Sequence, residues 1–459
     1  MVSALQTPLH QATQLHQATQ RSSTPPLGDH LWLPFTPNRH FAEQPKLLAR
    51  ASGVYYYTPE GRPVLDGVSG LFTTAAGHGR EAIAEAVGEQ LRTLDFTASF
   101  YRGHPLAFAT ADRLAALLPA GLDKIFFVNS GSEAVETALK IALAYHRARG
   151  EASRSLFVSR ERAYHGVNFG GVALSGLTNN RRQFAGGWPQ VAHMRHTWLP
   201  ENRGQLGQPS QGAELADDLL RLIQLHGAEN VAACVVEPIA GSTGVLVPPV
   251  GYLERLRAIC DEHQILLIMD EVICGFGRTG KAFAAQTFNV RPDIITLAKA
   301  LTNGAQPMGA VAVDRRIYDT IIQATSDEES IELFHGYTWS AHPAACAAAL
   351  ASLQIYEQEQ LFRRGEALSL DFLPRLQPFA ELPLVADIRG LGLLGAIELK
   401  PGAKPGQRGY RLQNRLFDAG LHLKATGDAL ILAPALISEA AHLDELFTIL
   451  YRELSNWQD

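Results

Sequence analysis

The chain has 459 residues, 46 % of them hydrophobic and 19 % charged, with a formal net charge of −6. At roughly 100–200 residues per domain this is enough for a large domain plus a smaller one, with the balance of an ordinary globular protein. The charge excludes a basic field for nucleic acid or anionic lipid, and no apolar run approaches the ~20 residues of a membrane span.

The first thirty residues differ from the rest. Leu9-His10-Gln11-Ala12-Thr13-Gln14 repeats at once as Leu15-His16-Gln17-Ala18-Thr19-Gln20, followed by Arg21-Ser22-Ser23-Thr24-Pro25-Pro26. This polar, low-complexity stretch has little to bury and reads as a disordered tail over residues 1–30. It lacks the apolar core of a secretory signal, and its single arginine argues against a transit peptide. Order is expected from about Leu31. Tyr55-Tyr56-Tyr57 and Val64-Leu65-Asp66 predict a small hairpin around Pro59-Glu60-Gly61, within a segment 31–70 expected to pack with the small domain.

From about Gly70 to Ser340 predicted strands alternate with helices, the pattern of a mostly parallel sheet. Lys124-Ile125-Phe126-Phe127-Val128 reads as a strand. Asn129-Ser130-Gly131-Ser132 turns the chain into a helix with Val135, Ala138, Leu139 and Ala142 on one face. Backbone N–H groups and hydroxyls at such a helix start make a phosphate site, although Ser130 or Ser132 capping its own helix explains the motif equally simply. Pro200–Ala216, rich in Gly, Gln and Pro, reads as a surface loop.

Ile265–Met269 is a run of five apolar residues, expected as a strand buried on both faces, with Asp270 where it emerges. Ligands in open α/β sheets sit beyond the carboxyl ends of strands, so Asp270 is either a turn cap or a carboxylate facing a ligand. Gly275-Phe276-Gly277-Arg278-Thr279-Gly280 fits the dinucleotide-binding spacing. However, five residues separate its first Gly from the apolar run instead of that Gly sitting at the turn, and the stretch 281–288 offers at most two turns of helix before Pro292. A loop around a bound ligand is the better reading. Next comes Ile294-Ile295-Thr296-Leu297-Ala298-Lys299, a lone amine after a strand-like run, between the turns Arg291-Pro292-Asp293 and Asn303-Gly304. Alone, Lys299 is more simply a lysine snorkelling at a strand end; desolvated, it is an amine with a depressed pKa and an available lone pair.

The last part, residues 341–459, predicts a smaller α+β unit with strands at Gly395–Leu399 and Ala429–Leu432. Cys234, Cys260, Cys274 and Cys346 form no staple pattern and are expected as reduced thiols. Cys260-Asp261-Glu262-His263 has ligand-like spacing, but no second pair accompanies it, so no metal is expected.

In order, Asn129–Ala134, Tyr164-His165-Gly166, Glu237-Pro238, Asp270-Glu271-Val272 and Lys299 resemble the class III aminotransferases, fold type I enzymes that use pyridoxal 5′-phosphate (PLP). Pro307-Met308-Gly309-Ala310 and His335–Pro343 are similar to the β-alanine:pyruvate and ω-amino acid branch. The resemblance implies a large PLP-binding domain (71–340) with a mostly parallel, seven-stranded-type sheet flanked by helices, and a smaller α+β domain (341–459). It implies ping-pong transamination from an amine donor to pyruvate or a similar keto acid, in a cytoplasmic homodimer, with a tetramer left open. Other PLP chemistry on the same scaffold (mutase, racemase or lyase) and an amine- or polyamine-specific transaminase are the alternatives.

It also implies roles. Lys299 is the Schiff-base lysine and proton shuttle, and Asp270 partners the pyridinium nitrogen. Val272 and Tyr164 take the two ring faces, and Gly131 and Ser132 cradle the phosphate. His165 and Glu237 belong with the cofactor residues, and Thr338 reaches the neighbouring subunit's cofactor. Trp32 and Phe35 lie over the entrance, and Phe72 and Phe100 line the pocket unless they only pack the core. The branch's mobile, carboxylate-binding arginine falls at Lys424 here, a departure that leaves the carboxylate to Lys424 or to Arg102.

Overall fold

The computed structural model describes residues 30–184, 190–325 and 327–458. The repeat at 9–20 and all but the end of the expected tail lie outside the described residues. At the centre is a seven-stranded sheet. In chain order its strands are β1 (Lys124–Val128), β2 (Leu156–Arg160), β3 (Val191–Met194), β4 (Val231–Val236), β5 (Leu266–Asp270), β6 (Ile294–Leu297) and β7 (Gly309–Val313). Their spatial order is β1-β7-β6-β5-β4-β2-β3. Only β7 runs antiparallel to its neighbours, so six strands end on the same edge. Every residue of β2, β4, β5, β6 and β7 is buried, as expected of apolar strands covered by helices on both faces.

Two smaller sheets flank this one. Arg50–Ser52, Tyr55–Tyr57 and Pro63–Asp66 form the predicted hairpin plus one strand, and Pro63–Asp66 pairs in parallel with Leu421–His422. That pairing ties the start of the chain to its end. The other sheet joins Val385–Leu391, Leu394–Leu399, Ala429–Leu432 and Lys424–Thr426.

Two loops differ from expectation. Pro200–Ala216 is largely half-buried: Gly204 N donates to Asp387 Oδ1 at 2.8 Å, and Leu206 bridges to Gly390. Partners from the C-terminal sheet satisfy its backbone, which lets a Gly- and Pro-rich segment leave the solvent. None of Gly275–Gly280 lines the cavity at the strand ends. Gly277, at φ +92°, sits where a Cβ would strike Phe362 Cδ1 at 2.7 Å and Leu436 Cδ1 at 2.8 Å. Buried Arg278 donates to Pro434 O at 2.6 Å. These residues join the central sheet to the C-terminal part of the chain.

All four cysteines are buried and free. Among the described residues no cluster could hold a metal ion, and no helix is long and apolar enough to cross a membrane.

Glu271 is fully buried, accepting from Ala284 N at 2.5 Å and Ala285 N at 2.8 Å, and burial pushes its pKa from 4.5 up to about 7. Between these values the folded chain keeps a proton that the unfolded chain has lost. This contribution to stability is therefore complete below about pH 4.5 and declines as pH rises to about 7. Glu271→Gln should abolish the decline: denaturation across that range should show wild type losing up to about 3 kcal/mol more than the variant. Parallel curves would contradict it.

Candidate active site

The carboxyl edge of the parallel strands opens into a cavity of about 370 Å³. One wall is the start of the helix Gly131–Ala148. Ser130 caps it, its hydroxyl accepting from Glu133 N at 3.2 Å, and Glu133 Oε2 accepts from Asn129 N at 2.7 Å. The Glu133 carboxylate thus reaches past the cap to the preceding residue, one position before the N–H that a reciprocal Ser-x-x-Glu box would use. Ser132 Oγ instead accepts from Val167 N at 3.1 Å. Ser130 therefore caps the helix, while Gly131 and Ser132 face the cavity at the positive end of its 18 residues. A Cβ on Gly131 would lie 2.9 Å from Val272 Cγ1, and one on Gly166 would lie 2.5 Å from Ser132 Oγ, so both close approaches require glycine.

The opposite wall carries the charges. Asp270 ends β5 and is buried. Its Oδ2 pairs with His165 Nδ1 at 2.8 Å, while its Oδ1 accepts from Val272 N and Thr296 Oγ1, each at 3.1 Å. Glu237, just past β4, accepts from Tyr164 N at 2.9 Å, and its own carbonyl accepts from Arg160 Nη2 at 2.5 Å. Burial pushes the Glu237 carboxyl up to about 7 and raises the Tyr164 phenol.

Lys299 follows β6 in a single turn, Lys299–Thr302. Its φ is +50°, a left-handed conformation that costs a side-chain-bearing residue energy and persists only where neighbours impose it. The neighbours are specific. Tyr356 Oη donates to Ala300 O at 2.6 Å. Asn303, also left-handed, accepts from Ala76 N at 2.9 Å and donates to Gly77 O at 2.8 Å. Burial pushes the Lys299 amine below its ordinary value, with Asp270 and Glu237 as the main opposing charges.

The structure brings Gly131, Ser132, Tyr164, His165, Glu237, Asp270, Val272 and Lys299 onto the wall of one cavity. It does not bring the others there. Trp32 and Phe35 are 88 % and 81 % exposed, Thr338 is exposed, and Phe100 packs on Gly336. Exposed Arg102 donates, among the described residues, to its neighbour Tyr101 O. Phe72 is buried with Lys299 Nζ 5.8 Å and Lys424 Nζ 5.6 Å from its ring centre, and neither Phe72 nor Lys424 lines the cavity. The reason is geometric: the cavity is bounded by strand ends, whereas Trp32, Phe35, Phe100, Arg102 and Thr338 lie on the outer surface. Sequence reasoning missed Thr296, whose hydroxyl holds Asp270. Its register opposite Asp270 on adjacent strands was the available signal. It also missed Thr73, Thr302 and Gln306 on the wall, which no local pattern marks.

PLP fits this donor set. The helix N-terminus with its glycine cradle suits the phosphate, the buried carboxylate suits a protonated ring nitrogen, and the desolvated amine suits the aldehyde. The family profile "Aminotransferase class-III" matches residues 38–454. An omega-aminotransferase of Caulobacter vibrioides is 52 % identical over 93 % of this chain and 97 % of its own. An omega-amino acid–pyruvate aminotransferase of Pseudomonas putida is 45 % identical over 91 % and 93 %. An omega transaminase from Pseudomonas jessenii, solved in complex with PMP, superposes with a TM-score of 0.89 at 33 % identity, covering 95 % of this chain and 98 % of that one. The chain belongs to the class III aminotransferases, enzymes that depend on PLP.

Proposed function

We propose that this transaminase moves an amino group from an ω-amino acid such as β-alanine, or a related amine, to pyruvate or a similar keto acid. The observation that carries the reading is the placement of Lys299 and Asp270 on one cavity wall beside the Gly131–Ala148 helix start. Bound there, PLP supplies an aldehyde for amines and a protonated ring that accepts an electron pair. Lys299 would hold the cofactor and, once freed, move the proton at the substrate's reacting carbon. A depressed pKa readies it for that work. Asp270 would stay ionised against the ring nitrogen, aligned by His165 and Thr296. Val272 and Tyr164 would pack the two ring faces, Gly131 and Ser132 would take the phosphate, and Glu237 would sit at the substrate's end.

Lys424 favours a second emphasis within this class. A lysine stands where the resemblance leads one to expect a planar, bidentate arginine, which weakens the argument for a carboxylate on every donor and favours plain amines alongside ω-amino acids. The chain is read as a homodimer in which Thr338 serves the other subunit's site and Trp32, Phe35 and Phe100 cover the entrance. The exposure of Phe334 (91 %) and Trp339 (60 %) around Thr338 supports an apolar face that a second copy covers. Residues 71–340 are read as the PLP-binding domain, with 341–459 and 31–70 as the smaller part. Four buried, reduced thiols agree with a cytoplasmic location.

Mixing holoenzyme with β-alanine, γ-aminobutyrate, taurine, putrescine or 1-phenylethylamine should bleach the visible cofactor band with the true donors, and keto acid should then disappear in equal amount. Bleaching without keto-acid consumption would point to a lyase, racemase or mutase instead. Lys299→Ala should lower turnover at least about a thousandfold, and full activity would sink the assignment. Gly131→Val should drive a side chain into Val272 and weaken PLP binding about tenfold or more, read by titrating the cofactor-free chain. Dilution to the monomer should release cofactor, measured by sedimentation with absorbance detection; a monomer that keeps both cofactor and activity would contradict the shared site.

A further inference from the structure

The helix Gly131–Ala148 does more than present its N-terminus to the cavity. Further along it, fully buried Thr137 places its hydroxyl 2.9 Å from His335 Nε2. The His335 ring stacks on Phe126 of β1, with centroids 5.6 Å apart and planes 9° apart, and the Tyr337 ring meets it edge-on at 5.0 Å. Leu333 and Tyr337 pack against the same apolar cluster as this helix. The backbone here is also held. His335 N donates to Leu333 O at 2.8 Å, Tyr337 N to Ser340 Oγ at 3.2 Å, and Ser340 O accepts from Ser99 Oγ at 2.7 Å. A Cβ on Gly336 would lie 2.9 Å from Phe100 Cε1. The stretch 333–340 therefore has two faces. Leu333, His335 and Tyr337 are half-buried, while Phe334, Thr338 and Trp339 are exposed.

We infer that His335 is a positioning residue for Thr338: bonded to Thr137, it docks the stretch 333–340 on the helix whose first residues face the cavity, and so holds Thr338 in place for the neighbouring subunit's cofactor. The argument is one of ordering. Among the described residues no hydrogen bond holds the Thr338 side chain. A hydroxyl on a loose loop loses conformational freedom when it bonds a phosphate, and that loss lowers affinity; a loop ordered beforehand avoids it. His335, three residues before Thr338, supplies the order through one hydrogen bond and one stacked ring.

The inference rests on the reading of Thr338 as part of the neighbouring subunit's site, and it adds His335 and Thr137 to that site without contact with the cofactor. One helix would then serve two cofactors in a dimer: its N-terminus the phosphate of its own, and its Thr137 the loop offered to the other.

The test reads binding instead of turnover. Full-length chain freed of cofactor, at a concentration where it is dimeric, is titrated with PLP and followed by the visible absorbance of the bound cofactor. Thr137→Val removes the hydroxyl at nearly constant shape, and His335→Phe keeps a ring without the nitrogen. Each should weaken PLP about fivefold, the effect of one lost hydrogen bond, while Thr137→Ser should bind as wild type does. Thr338→Ala should also weaken PLP. The double variant Thr137→Val/Thr338→Ala should bind no more weakly than Thr338→Ala alone, because the docking acts through Thr338. If Thr137→Val does not fold, His335→Phe carries the same cycle. Additive losses in the double variant, or wild-type affinity in both Thr137→Val and His335→Phe beside a loss in Thr338→Ala, would overturn the docking role alone. Wild-type affinity in Thr338→Ala would defeat the shared-site reading and the inference with it, so the two failures are distinct.

Discussion

Everything at this site depends on placing ionisable groups where water is scarce. Asp270 and Glu237 are buried and Lys299 is half-buried on the edge where six parallel strands stop. An isolated charge in such a place would neutralise itself. Here each is offset differently. Asp270 has three partners, His165, Thr296 and the Val272 amide. Glu237 has one, the Tyr164 amide, and sits near neutrality. Lys299 has none among the described residues but is flanked by both carboxylates. The gradation matches the proposed roles: Asp270, read as the ring-nitrogen partner, is bonded most, and Lys299, read as the proton carrier, is bonded least.

The fold supplies that gradation cheaply because strand ends are already converging. Glu237 and Asp270 follow adjacent strands β4 and β5, and Lys299 follows the next, β6. The antiparallel β7 starts at the same edge, where Gly309 allows the Ser130 carbonyl to approach to 2.5 Å of where a Cβ would be. Sheet order, rather than any loop, therefore fixes the spacing of the reacting groups, as expected for ligand sites in open α/β sheets.

Much of this was legible locally. Ser130-Gly131-Ser132-Glu133 announced a helix start, the apolar run before Asp270 announced a buried strand, and Asn303-Gly304 announced the turn after Lys299. The nucleotide-like glycines were rightly set aside, although their actual task, seating Phe362 and Leu436 against Gly277, needed coordinates. What the chain concealed is long-range. No pattern links Tyr356 to Ala300 or Asn303 to Ala76, although these bonds hold the strained turn at Lys299. Nor does any pattern reveal that Phe72, in a kinked segment more than two hundred residues upstream, has two lysine amines 5.8 and 5.6 Å from its ring centre. Residues such as Thr338 and Arg102 belong to the outer surface, where a single chain's packing says little about their purpose.

Asn303 grips both the exit of the Lys299 turn and the backbone at Ala76 and Gly77, four and five residues beyond Phe72. One carboxamide thus serves as a common rivet for the Lys299 turn and the segment that follows Phe72. The two are fastened to each other directly, with no intervening element between them.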